Sequence, residues 1–92
     1  MAKKEKYPDF LKYVEVDQGD IEWCQSKLRN WMVTHAYISK LAANERSLEI
    51  LRRLMLVEFL RTPSYRWHIV QRLHGRYDEL RYKVEREQIK AA

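Results

Sequence analysis

The residues best placed to do chemistry in this chain are cations. Tyr65, His68, Arg72, Arg76, Lys83, Arg86 and Lys90 recur at separations of three, four or seven, and only Glu79 interrupts them. On a helix they form one stripe about 35 Å long, at roughly 1.5 Å rise per residue. Arg and Lys so arranged can meet successive phosphates, Lys as a point charge and Arg through its guanidinium fork. Such contacts position a nucleic acid without reading its bases. The competing reading is a solvated helix flank, supported by spaced pairs such as Glu79–Lys83.

The remaining chemistry-bearing residues point away from catalysis. There is no Gly-rich phosphate loop, no Gly-x-Ser-x-Gly elbow and no His-Glu-x-x-His. No catalytic residue is therefore expected. His68 and His74, six apart, fall on different faces of a helix, so no metal site is expected, and no cofactor. Cys24 is the only cysteine; it excludes an intrachain disulfide and reads as a small buried hydrophobe. His35 reads as a core or rim histidine.

A second surface competes with the stripe. Trp67, His74, Tyr82 and Ile89 share the other flank of the same segment, with Asp78 and Glu85 between them. Three Trp and six Tyr are a heavy aromatic load for 92 residues, and Trp, Tyr and Arg dominate protein interfaces. Leu56 and Leu60, with Trp67 and Tyr82, are the candidate protein interface.

The elements that must position these residues are helices. Two Gly and two Pro leave few turns, and no period-two apolar pattern is sustained. The expected fold is all-α: a small antiparallel helical bundle or hairpin with three main helices and a short N-terminal helix, in one domain over residues 1–92. Helices are expected at about 8–16, 21–43, 45–61 and 63–90, with residues 1–6 mobile. Pro8 opens the first and Asp20 caps the second; Asn44 caps the third, and Thr62-Pro63 starts the fourth. In the second helix Ile21, Cys24, Leu28, Trp31, His35, Ile38 and Ala42 form a seam, widened by Trp23, Leu41 and Met32. The fourth has its own seam of Arg66, Val70, Leu73, Tyr77, Leu80 and Val84. Gly75 lies inside that helix at a cost of roughly 1 kcal/mol relative to Ala. The seam keeps its phase across Gly75, so one continuous helix is expected, with a break into two as the alternative. A helix-turn-helix over 37–54 fits less well: the turn lacks glycine, and the following helix is too apolar in its second half.

The third helix organises the others. Leu48, Ile50, Leu51, Leu54 and Met55 make its front, and charges make its back until Leu56, Val57 and Leu60 replace them. A helix apolar all round needs cover on all sides. The N-terminal stripe of Tyr7, Phe10, Leu11 and Val14, or another molecule, would supply it. Glu58 interrupts the front, where a carboxylate is costly unless paired. In an antiparallel hairpin Arg66 lies opposite, so a Glu58–Arg66 structural ion pair is expected.

The formal charge is +5, with pI about 9.5. Residues 1–20 are net −1, while residues 21–62 and 63–92 are each net +3, so the surplus sits on the helices. No run of roughly eighteen apolar residues is present, so no membrane span is expected; a cytoplasmic location follows. The leading expectation is a non-enzymatic basic accessory module that binds nucleic acid, DNA or RNA, or a nucleoprotein assembly. The alternative is a protein–protein adaptor or inhibitor of the small kind that phages and mobile elements encode. It would act as an oligomer, with a homodimer or another protein as partner.

Overall fold

The computed structural model describes Leu11, residues 14–61 and residues 64–91. These contain four helices, α1 (Gln18–Arg29), α2 (Trp31–Ser39), α3 (Glu45–Phe59) and α4 (Trp67–Ala91), and no strand. Most of the expected N-terminal helix, and residues 1–6, lie outside the described residues. Residues 14–17 are not helical; Val14 N–H donates to the Leu11 carbonyl in a single tight turn.

The largest departure is in the second expected helix, which breaks at Asn30. Its backbone (φ −122°, ψ 82°) leaves the helical region, and its side chain accepts from Val33 N–H at 3.4 Å to start α2. Asparagine suits this post because its amide competes for backbone hydrogen bonds and favours caps over helix interiors. The freed Lys27 carbonyl accepts from Asn30 N–H at 3.2 Å and from the Thr34 hydroxyl. That explains a buried threonine in a position the seam did not include. The break also turns Met32 outward, to 84% exposure, correcting its place beside the seam.

The other caps are side-chain oxygens. Asp17 opens α1 in a capping box: its Oδ1 accepts from Asp20 N–H at 2.7 Å, and its own N–H donates to Asp20 Oδ2 at 3.1 Å. Asp20 is thus the third residue of α1 and not its cap. Asn44 caps α3 by accepting from Ser47 N–H at 2.8 Å.

The core is the front of α3 against the inner faces of α1 and α4. Leu48, Leu51, Leu54 and Met55 share one buried cluster with Cys24, Leu28 and Ile38, and with Ile69, Val70, Leu73, Tyr77, Leu80 and Val84. Leu11 and Val57 belong to the same cluster, with Val14 packed against it. Helix α4 is unbroken at Gly75.

Glu58, at the end of α3, is fully buried. Arg66 grips it with Nη2 to Oε1 at 2.8 Å and Nε to Oε2 at 3.1 Å, while Arg66 backbone N–H reaches Oε2 at 2.7 Å. The Arg66 carbonyl then accepts from Ile69 and Val70 N–H, so α4 starts at Trp67, four residues later than expected. Arg66 Nη2 also donates to the Leu28 carbonyl at 3.1 Å, near the C-terminus of α1. The Glu58 hydrogen bonds hold the Arg66 guanidinium above its ordinary pKa; burial opposes this and the Glu58 charge adds to it.

Candidate functional site

The late start of α4 removes Tyr65 from the basic stripe. Tyr65 precedes the helix and packs on Phe59, with ring centroids 4.8 Å apart. The other stripe residues lie on α4.

Arg76 also leaves the stripe, for a different reason. Its Nε donates to the Ile38 carbonyl at 2.8 Å, and its Nη2 to the Ser39 and Leu41 carbonyls at 3.0 and 3.1 Å. Nη1 holds Glu79 at 2.9 Å. The guanidinium is thus the C-terminal cap of α2, where carbonyls without helical partners and the helix dipole both favour a cation. It fastens α2 to α4 and has little left to offer a phosphate. Nothing in the periodicity of α4 distinguishes it from Arg72; the signal lies in where α2 ends, which the sequence pattern placed four residues too far.

His68, Arg72, Lys83, Arg86 and Lys90 are exposed. Of the cations on α4, Arg76 and Arg81 are ion-paired, Arg81 with Asp78 and Glu85 at 3.8 and 3.9 Å. Arg72, Lys83, Arg86 and Lys90 hold no carboxylate among the described residues. Arg86 lies over the Tyr82 ring, 5.5 Å from its centroid. The stripe therefore presents four cations with no carboxylate partner among the described residues, along about 27 Å of helix, counting roughly 1.5 Å per residue from Arg72 to Lys90.

At the His68 end the stripe borders an open groove of about 870 Å³ between α2 and α4. Helix α2 supplies Trp31, Met32 and His35, and α4 supplies His68, Gln71, Arg72 and Gly75. Trp31 and His35 are half-buried and meet edge to face, with centroids 5.7 Å apart. Reading residues 21–43 as one helix assigned Trp31 and His35 to a core seam. The α1–α2 break brings them to the groove wall.

The candidate protein interface is divided. Leu56 is 8% exposed, buried with the rest of that turn of α3, so it presents no surface. Leu60 is exposed, as are Trp67 at 56% and Tyr82 at 63%. Trp67 and Tyr82 are both exposed on α4, as is Ile89.

Cys24 is buried beneath a smaller pocket lined by Asp20, Trp23, Tyr37 and Arg53, among others. Burial pushes its thiol up to about 11; Asp20 adds to the rise and Arg53 opposes it. At pH 8 only about one molecule in a thousand then carries the thiolate. Thiol labelling of the native protein at pH 8 is expected to be slow, to accelerate about tenfold per pH unit toward 11, and to become immediate in denaturant. Rapid labelling at pH 8 in the native state would show that Cys24 is open to solvent.

Among the described residues no three His, Cys, Asp or Glu side chains are grouped to hold a metal, and no helix is long and apolar enough to cross a membrane. No protein-family profile, curated protein or solved structure matches the chain.

Proposed function

We propose that this chain is a non-enzymatic, cytoplasmic accessory module that binds nucleic acid, alone or within a nucleoprotein assembly, through the exposed face of α4. His68, Arg72, Lys83, Arg86 and Lys90 make the contact; Tyr65 and Arg76 do not. The observation that carries this reading is selective pairing. Arg66, Arg76 and Arg81 are engaged with carboxylates, while the four cations that share one side of α4 have none among the described residues. Unpaired cations on one rigid helix gain by meeting phosphates and releasing their counterions. The architecture behind this face is read as one antiparallel bundle: Glu58 meets Arg66 and, further from the turn, Arg52 meets Tyr77.

Titration of labelled duplex DNA, single-stranded DNA and RNA at 50 and 200 mM salt tests it. With three or four phosphate contacts, affinity should fall about 40-fold to 150-fold for duplex and about 20-fold to 50-fold for single strands between the two salts. Arg72→Glu with Lys83→Glu should abolish binding at the lower salt while leaving thermal unfolding close to wild type, since neither side chain bonds another described residue. Retained affinity in that variant would refute the stripe.

A second reading is supported by the exposure of Leu60, Trp67 and Tyr82. A protein partner or a second copy of the chain docking there would make an adaptor or inhibitor. Its binding would be insensitive to salt and would survive the Arg72→Glu, Lys83→Glu changes.

A further inference from the structure

We infer that the groove between α2 and α4 is a subsite for an unpaired nucleotide, so that the protein prefers single-stranded nucleic acid to duplex. This deepens the nucleic-acid reading and depends on it.

The first observation is Gly75. It sits mid-helix, where glycine is the poorest choice after proline. A Cβ built there would meet nothing within 4 Å, so packing does not demand its absence. A side chain at Gly75 would instead occupy open space at the mouth of the groove that the residue lines. Glycine at such a position keeps the backbone open to close approach by a ligand.

The second observation is the chemistry of the walls. Half-buried Trp31, with His35 against it, and the exposed thioether of Met32 offer flat and polarisable apolar surface on one side. On the other side His68 and Arg72 are exposed, and neither holds a carboxylate or a hydrogen bond among the described residues. Gln71 adds an amide that can both donate and accept. A planar heteroaromatic ring joined to an anionic phosphate is complementary to that combination. The volume, about 870 Å³, lies within the roughly 300–1,000 Å³ usual for small-ligand clefts.

The third observation is continuity. The groove opens onto the α4 stripe, so a strand whose base enters beside Arg72 can continue with its phosphates toward Lys83 and Lys90. A duplex keeps its bases stacked inside and can meet only the cations. An unpaired base can leave the strand and stack on an aromatic side chain. Arg76 holds the two walls together by bonding the carbonyls at the end of α2.

The test is fluorescence anisotropy with a labelled twelve-nucleotide single strand and a duplex hairpin of matching sequence. Wild type, Gly75→Ala, Gly75→Leu and the Lys83→Glu, Lys90→Glu double variant are compared, with circular dichroism melts for each. Wild type should bind the single strand at least tenfold more tightly than the hairpin. Gly75→Leu should remove most of that preference, Gly75→Ala should keep it, and the double variant should weaken both ligands. A preference unchanged in folded Gly75→Leu, or no preference in wild type, overturns the subsite and leaves the stripe standing. No binding of either ligand by wild type overturns both. Should Gly75→Leu fail to fold, replacing Trp23 and Trp67 by Phe makes Trp31 the reporter. Quenching by the single strand and not by the hairpin supports the subsite; no quenching by the single strand overturns it.

Discussion

Arg66→Ala should be the most damaging single substitution in this chain, lowering stability by about 3–5 kcal/mol, the range for breaking a buried ion pair. Small domains have roughly 5–15 kcal/mol in total, so this variant should be partly unfolded at physiological temperature. The loss comes from what is left behind. Glu58 is fully buried, and without Arg66 its nearest cation is Arg61 Nε at 3.4 Å, on a side chain half in solvent. The Leu28 carbonyl loses its guanidinium donor in the same step. Glu58→Gln should cost less, because a neutral amide removes the buried charge and its oxygen still accepts a hydrogen bond. Glu58→Leu combined with Arg66→Met should recover part of the loss, since apolar pairs of similar volume often replace buried ion pairs without penalty. Urea denaturation at pH 7 measures all three. A loss below about 1 kcal/mol for Arg66→Ala would mean that Glu58 finds water in solution, because exposed pairs contribute no more than that.

Arg76→Ala should follow, at about 2–4 kcal/mol, because it leaves the Ile38, Ser39 and Leu41 carbonyls without their charged donor. Arg76→Lys should rescue little. One ammonium on a flexible stem cannot reproduce a planar fork that serves three carbonyls and Glu79 together. Hydrogen exchange separates this prediction from a general loss of stability. Amides of α2 should lose protection well before those of α3, which do not depend on this cap. The opposite pattern, unchanged protection of α2 with lost nucleic-acid binding, would return Arg76 to the proposed phosphate-binding stripe.

The positions readable from sequence were those where a helical period stands alone. The inner face of α4 is Val70, Leu73, Tyr77, Leu80 and Val84, all buried, because nothing on that stretch competes with the 3.6-residue repeat. Glu58 was legible as a lone charge in an apolar face, and the short link to the next helix limited which residues lie opposite. The break at Asn30 was not legible. Apolar spacing continues through it, and a seam drawn from Leu28 to Trp31 to His35 keeps its rhythm whether or not the backbone turns. Only an asparagine with a threonine four residues later marks the place, and neither is specific. The same blindness hid the groove, whose two walls lie about thirty residues apart in the chain. It also hid the second role of Arg76, since a helical wheel places an arginine on a face but does not show which carbonyls that face meets.

The two arginine clasps carry a consequence for how the chain acquires its structure. Both reach back 38 residues, from Arg66 to the Leu28 carbonyl and from Arg76 to the Ile38 carbonyl. Helix α2 has nine residues, fewer than the dozen or so a helix needs to persist alone in water. During synthesis, then, α1 and α2 leave the ribosome long before the side chains that terminate them exist. The packing of α3 on α4, whose contacts are closer in sequence, can form as soon as α4 emerges. Helix α2, capped by Arg76, can be held only after that, and the groove between α2 and α4 needs both of its walls. A chain cut short before Arg66 would keep the residues of α1 and α2 but lack both clasps.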